Sequence, residues 1–193
     1  MRWDLLFDDL GWQLDQEQQA EERALALEEE RLRLSRLTLR DRLRALAGGP
    51  EAVRLLLRGG TLVQARPVSF GRDWMSAELV GHRTAPRCVV PLAAVTAILP
   101  GRDQLDRSLE PAAEASSAVA DRIPLAFVLR DLARRRAPVA VSTDDGELTG
   151  TLDRVARDHV DLALHEPGVA RRDVDLQGYR IVALDAIRLV TFD

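Results

Sequence analysis

Two stretches of this chain repeat one another, and that duplication limits the fold more than any other feature. Gly71-Arg72-Asp73-Trp74-Met75 aligns with Ala156-Arg157-Asp158-His159-Val160, and Val90-Pro91-Leu92-Ala93-Ala94-Val95 with Val182-Ala183-Leu184-Asp185-Ala186-Ile187. Ahead of each copy stands a helical phrase, Leu39-Arg40-Asp41 in the first and Leu129-Arg130-Asp131 in the second. One supersecondary plan must therefore suit both stretches.

The plan is a β plan. After Pro50 the apolar period changes from 3.6 to 2: Val53, Leu55 and Leu57 alternate up to Arg58-Gly59-Gly60, and Thr61 to Val68 returns. Asp73 to Val80 follows with Met75, Ala77 and Leu79 on one side, then Arg87 to Val90, a tight connection at Pro91 to Ala94, and Val95 to Leu99. The second copy runs from Val139 and Val141 through a Thr143-Asp144-Asp145-Gly146 hairpin turn and Glu147 to Val155, to the alternation Val160, Leu162, Leu164. Five short strands per copy predict two small closed or nearly closed barrels. Their cores are expected to hold Val53, Leu55, Leu57, Met75, Ala77, Leu79, Val95 and Ile98, and Val139, Val141, Val160, Leu162, Leu164, Ile187 and Leu189.

From Trp3 to Leu46 the pattern is helical, and Gly48-Gly49-Pro50 supplies a stop. Trp3, Leu6, Phe7, Leu10 and Leu14 form an apolar stripe, while Leu25, Leu32, Leu39 and Leu46 recur at intervals of seven. Residues 101–123, rich in Ala, Ser, Glu and Asp, read as a linker. The expected organisation is an N-terminal helical segment over 1–49, a first barrel over 50–100, the linker over 101–123, and a helix plus second barrel over 124–193. The fold class is mainly β with an N-terminal helix.

Composition narrows function by exclusion. One cysteine, Cys88, rules out an internal disulfide framework, and with His82, His159 and His165 it makes a poor zinc set. No apolar run reaches the roughly 20 residues of a membrane span, and the opening Met-Arg-Trp-Asp lacks a leader's basic head, so a cytoplasmic protein is expected. Charge falls in blocks: residues 1–30 are net −8 and residues 31–47 net +5, against −4 overall. An acidic chain with one local basic stretch is a weak candidate for nonspecific nucleic-acid binding.

A helix followed by five bent strands, a Gly-containing turn between the first two and an Asp opening the third, resembles the Sm-like (LSm) family of SH3-like barrels. Leu55-Leu56-Leu57-Arg58-Gly59-Gly60-Thr61-Leu62 through Asp73-Trp74-Met75-Ser76-Ala77-Glu78-Leu79 looks like the family's first motif. Cys88 to Val95 and Arg180 to Ile187 stand where its second motif belongs. The resemblance covers roughly residues 36–99 and 125–192 and implies tandem Sm-like barrels. It carries over no RNA-contacting residue: Ser76 and Asp161 stand where the family places Asn, and Pro91-Leu92 and Ala183-Leu184 where it places Arg-Gly. The layout also resembles a family from GC-rich actinobacteria, some of whose members carry the label of transcriptional regulator, although no helix-turn-helix pattern accompanies it here.

Phosphate loops, nucleophile elbows, His-Glu-x-x-His and Cys-x-x-Cys are missing, so the chain is expected to be non-catalytic and without a cofactor or metal. Two readings of its partners follow. In the first, the helix bearing Trp3, Leu6, Phe7 and Leu10 offers its apolar face to a protein partner or a second copy. In the second, the barrels bind RNA or single-stranded nucleic acid, with the arginines from Arg31 to Arg44, or Arg134, Arg135 and Arg136, contacting phosphates.

Overall fold

A computed structural model describes residues 2–81, 86–111, 119–167, 172 and 176–192, with backbone alone for 2–11 and 13–15. The chain divides into two compact units, one ending at Leu39 and one beginning at Arg40. The first is dominated by α1, Arg2–Ser35. It ends where the Ser35 hydroxyl donates to the Leu32 carbonyl and tighter turn bonds, Arg36 to Arg33 and Leu37 to Leu34, replace the α ladder. α2, Leu39–Leu46, then starts afresh, so the helical pattern read from Trp3 to Leu46 is carried by two helices. The leucines spaced by seven divide accordingly. Leu25 and Leu32 are exposed, whereas Leu46 is buried with Leu43 in the β core.

Among the described residues ten strands follow: β1 Val53–Leu57, β2 Leu62–Phe70, β3 Trp74–Leu79, β4 Arg87–Pro91, β5 Val95–Ile98, β6 Pro138–Thr143, β7 Gly146–Val155, β8 His159–Leu164, β9 Gly178–Ala183 and β10 Ile187–Phe192. α3, Arg102–Arg107, and α4, Leu125–Arg134, lie between the halves. The first part of the expected linker is thus folded: the Gln104 side chain is buried and donates to the Ala52 carbonyl, and Ser108 accepts from Arg42.

The class is mainly β with an N-terminal helix, as expected, and the strands form one antiparallel sheet in the order β5-β1-β2-β3-β4-β10-β6-β7-β8-β9, which does not close, so the two expected five-stranded barrels are not seen as closed bodies. Its halves repeat in detail. The β2–β3 ladder slips between Pro67 and Ser69, and the β7–β8 ladder between Leu152 and Arg154, the matching place. Asp73 accepts from the Leu92 amide at 2.9 Å, and Asp158 from the Leu184 amide at 2.8 Å. Gly71 donates to Trp74 and Ala156 to His159, both at 2.9 Å.

Alternation placed the core well. Of the expected residues all are buried except Ile98 and Leu164, which are half-buried. Leu43 and Leu46 of α2 cover the first-half core, and Leu125, Leu129 and Leu132 of α4 cover the second. Gly150 must lack a Cβ, because one would run into the Ala163 carbonyl on β8.

Candidate functional site

The halves meet where β4 pairs with β10, with Val89 opposite Val190, Cys88 opposite Thr191 and Arg87 opposite Phe192. Each half gives side chains to the other's core: Leu189 of β10 packs among Leu43, Leu57 and Leu79, while Trp74 and Val89 pack among Leu125, Leu129 and Val141. The connection Gly71–Trp74 also holds the approach to α4. Ile123's carbonyl accepts from the Trp74 indole N–H and the Arg72 amide, both at 2.9 Å, and Asp73 Oδ1 accepts from the Leu125 amide at 2.7 Å. The Asp opening strand three thereby caps the first turn of a helix in the other half.

A polar lock completes this joint. Arg188, carried by the irregular step in the β10–β6 ladder, is buried, and its Nη1 donates to the Arg58 carbonyl at 2.8 Å. Asp144 Oδ1 lies 3.5 Å from Arg188 Nε, and Asp144 Oδ2 lies 3.8 Å from Arg58 Nε. Arg58 donates in turn to the Asp185 carbonyl. Gly59, at φ 76°, gives Arg188 its space, because a Cβ there would fall on the guanidinium.

At the two ends of the sheet the corresponding edges stand open. β9 is the second half's counterpart of β4 and, among the described residues, pairs on one side only, with β8. Ile181 faces Asp161 as Val89 faces Ser76, yet Ile181 is 75% exposed and Val89 is 1% exposed. Tyr179 on the same strand is also exposed. A groove of about 310 Å³ lies between β9 and the β6–β7 turn, lined among others by Thr143, Asp145, Leu148, Ile181 and Val182.

A second concavity, a cleft of about 510 Å³, gathers the matching turns of both halves: Arg72 and Asp73 with Ala93, and Ala156 and Arg157 with Asp185, beside Arg130 of α4. Arg130 donates to the carbonyls of Val155 and Ala156, while Arg72 and Arg157 are exposed.

The residues singled out by sequence fare differently. Trp3, Leu6, Phe7 and Leu10 lie on α1, and their side chains fall outside the described residues. Arg134, Arg135 and Arg136 stand together at the end of α4, but carboxylates meet all three. Arg134 and Arg135 reach Asp131 at 2.6 and 2.7 Å, and Arg136 reaches Asp153 at 2.7 Å. Arg72 and Arg157, quoted only as repeat markers, are the arginines the fold brings to one cleft. The shared Arg-Asp at both turns was the available signal.

The remaining candidates sit in defined local contacts. Cys88 is buried, and burial pushes its thiol up to about 12, far from a thiolate nucleophile. His165 is buried and satisfied, bonded through Nε2 to the Thr151 hydroxyl at 2.8 Å and through Nδ1 to the Glu166 carbonyl at 3.0 Å. His159 bonds the neighbouring Asp158 at 2.7 Å. Among the described residues no three His, Cys, Asp or Glu side chains gather where a metal ion would sit. No described helix is long and apolar enough to cross a membrane. Comparison with protein-family models, curated proteins and solved structures finds no match.

Proposed function

We propose that this chain is a non-catalytic interaction or regulatory module built on tandem Sm-like barrels, whose N-terminal helix binds a protein partner or a second copy. The observation that carries this reading is the exposure of apolar side chains along α1: Trp12 is 67% exposed, Leu25 65% and Leu27 64%, with Leu32 also open. Water contact at so many large apolar groups on one helix is unfavourable, since burial of each is worth roughly 1.5–3 kcal/mol. The barrel reading is supported by the strand order β5-β1-β2-β3-β4, which recurs as β10-β6-β7-β8-β9, and by the matched ladder slips. Substituting Trp3→Ala with Phe7→Ala, and separately Leu25→Glu with Leu32→Glu, in the full chain tests the helix. The expected result is loss of a complex seen by native pull-down or light scattering, with the β-sheet circular dichroism unchanged. An intact complex in both variants overturns it.

A second reading has its own observation, the cleft that gathers Arg72, Arg130 and Arg157 at the matching turns. Bound RNA or single-stranded nucleic acid would lie there, where Arg157 is exposed and Arg72 is near only its neighbour Asp73, at 3.6 Å, whereas Arg134, Arg135 and Arg136 are each met by a carboxylate at 2.6–2.7 Å. Arg72→Glu with Arg157→Glu would then weaken RNA retention and flatten its salt dependence. Unchanged retention removes this reading.

A further inference from the structure

The apolar positions of α1 fall in two blocks, from Trp3 to Leu14 and from Ala24 to Leu34, on either side of a polar stretch, residues 15–23, whose one apolar member is Ala20. The helical repeat puts the positions of Trp3, Phe7, Leu10, Leu14, Leu25 and Leu32 within an arc of about 60°, so one stripe runs through both blocks. Leu25 and Leu32 on that stripe are exposed. Charge divides along the same helix. Residues 2–15 hold four acids against Arg2, net −3, whereas residues 31–36 hold Arg31, Arg33 and Arg36 and no acid, net +3. Arg33 already holds Glu30 at 2.6 Å, but Arg31 stands 3.8 Å from an exposed Glu28, and Arg36 meets no carboxylate among the described residues.

Resting on the reading of α1 as the interaction element, we propose that its occupant is α1 of a second copy, laid antiparallel along this stripe about a two-fold axis between Glu17 and Gln18. Leu10 then stands opposite Leu25 and Trp3 opposite Leu32, while the polar stretch lies against itself at the centre. Orientation follows from charge. A parallel pair would set acid against acid at one end and arginine against arginine at the other. The antiparallel pair sets each acidic start against the basic end of the other helix, and flanking charges of this kind fix orientation in paired helices. A foreign helix would need the same charge pattern reversed, whereas a second copy supplies it by symmetry. The overlap, residues 3–32, covers roughly four heptads. Glu21 and Glu28 fall opposite Leu14 and Phe7 and interrupt the apolar seam, so the pair is weak and forms as concentration rises. The contact is isologous and closes at two copies.

Full-length chains carrying Leu10→Cys and Leu25→Cys, each alone and then mixed, are exposed to oxidised glutathione at rising protein concentration, and covalent species are read by non-reducing electrophoresis. Cys88 is buried and adds little background. Only the mixture is expected to give a covalent dimer, because antiparallel pairing opposes the two positions and holds each out of disulfide reach of its own counterpart. In light scattering the unaltered chain is expected to move from 21.4 kDa toward twice that mass with concentration. Arg31→Glu with Arg36→Glu is expected to shift that rise to higher concentration, more at low salt than at high. Covalent dimers from each cysteine variant alone mean parallel helices and overturn the inference, while leaving α1 as the interaction element. A mass of 21.4 kDa at every concentration with no cross-link in the mixture overturns it too. The reading of α1 is then decided separately, by whether Trp3→Ala with Phe7→Ala removes a complex in the native pull-down.

Discussion

Val89 and Ile181 hold the same place in the two halves of the sheet, each two residues before the end of its strand, yet one is sealed and the other open. The strands they belong to are equivalent, and so are their neighbours β3 and β8. What differs is the strand on the far side: β4 has β10, and β9 has none among the described residues. Local sequence set the strands, and the order of the halves in one chain decided which edge was covered. The same contrast runs through Trp74 and His159, one buried with its indole N–H bonded to Ile123, the other partly exposed beside Asp158.

The largest effect expected from this contrast is at that second pair. Trp74→Ala should cost about 3–5 kcal/mol in urea denaturation, because it empties a site in the second-half core and leaves the Ile123 carbonyl one donor short. His159→Ala should stay within about 0.5 kcal/mol. Comparable losses at both positions would break the comparison.

Leu162→Ala probes the second-half core away from the joint. Buried among Val160 and Leu129, it should cost about 2–5 kcal/mol. A melting temperature unchanged by this substitution would mean that the strand register is shifted by one residue, which turns every side chain of β8 to the other face.

A smaller effect is expected where α2 is tied to the turn before α4. Asp121 there accepts from Arg44 and, at 2.8 Å, from Arg40. The Arg44 guanidinium beside it, with Arg40, holds the Asp121 carboxyl below its usual range. A carboxylate with a depressed folded-state pKa stabilises the fold above its unfolded value, near 3.8, and that contribution is lost as pH falls through the folded value. Asp121→Asn should therefore cost about 1 kcal/mol at neutral pH, the pair being partly open to screening by water. The cost should vanish in acid, read as melting temperatures that converge as the pH falls through the folded value, below the ordinary carboxylate range. A gap that persists there assigns the loss to packing.

How much of this was legible follows from the range of each interaction. Alternation is local, so Val53, Leu55 and Leu57, and Met75, Ala77 and Leu79, could be placed on the buried face from sequence. The joint is not local: Val89 and Val190 lie about a hundred positions apart, and no period connects them. A trace of it was present all the same. Cys88-Val89-Val90-Pro91 is apolar on both faces, as in a strand covered on both sides, whereas the matching Arg180-Ile181-Val182-Ala183 is broken by Arg180. Asp73 as a helix cap and Arg188 as a buried lock were invisible because their partners come from the opposite half. Of the candidate site, the repeat Arg72-Asp73 and Arg157-Asp158 was seen, but its convergence on one cleft required the β4–β10 pairing.

That pairing is the centre of the account, and the stabilities of Val89→Ala and Ile181→Ala in dilute solution test it most directly. Val89→Ala removes apolar contacts sealed between the halves and is expected to cost about 1–3 kcal/mol. Ile181→Ala removes a larger group from an open edge and is expected to change stability by no more than about 0.5 kcal/mol. Equal costs, or a greater cost at Ile181, would contradict a sheet joined through β4 and β10.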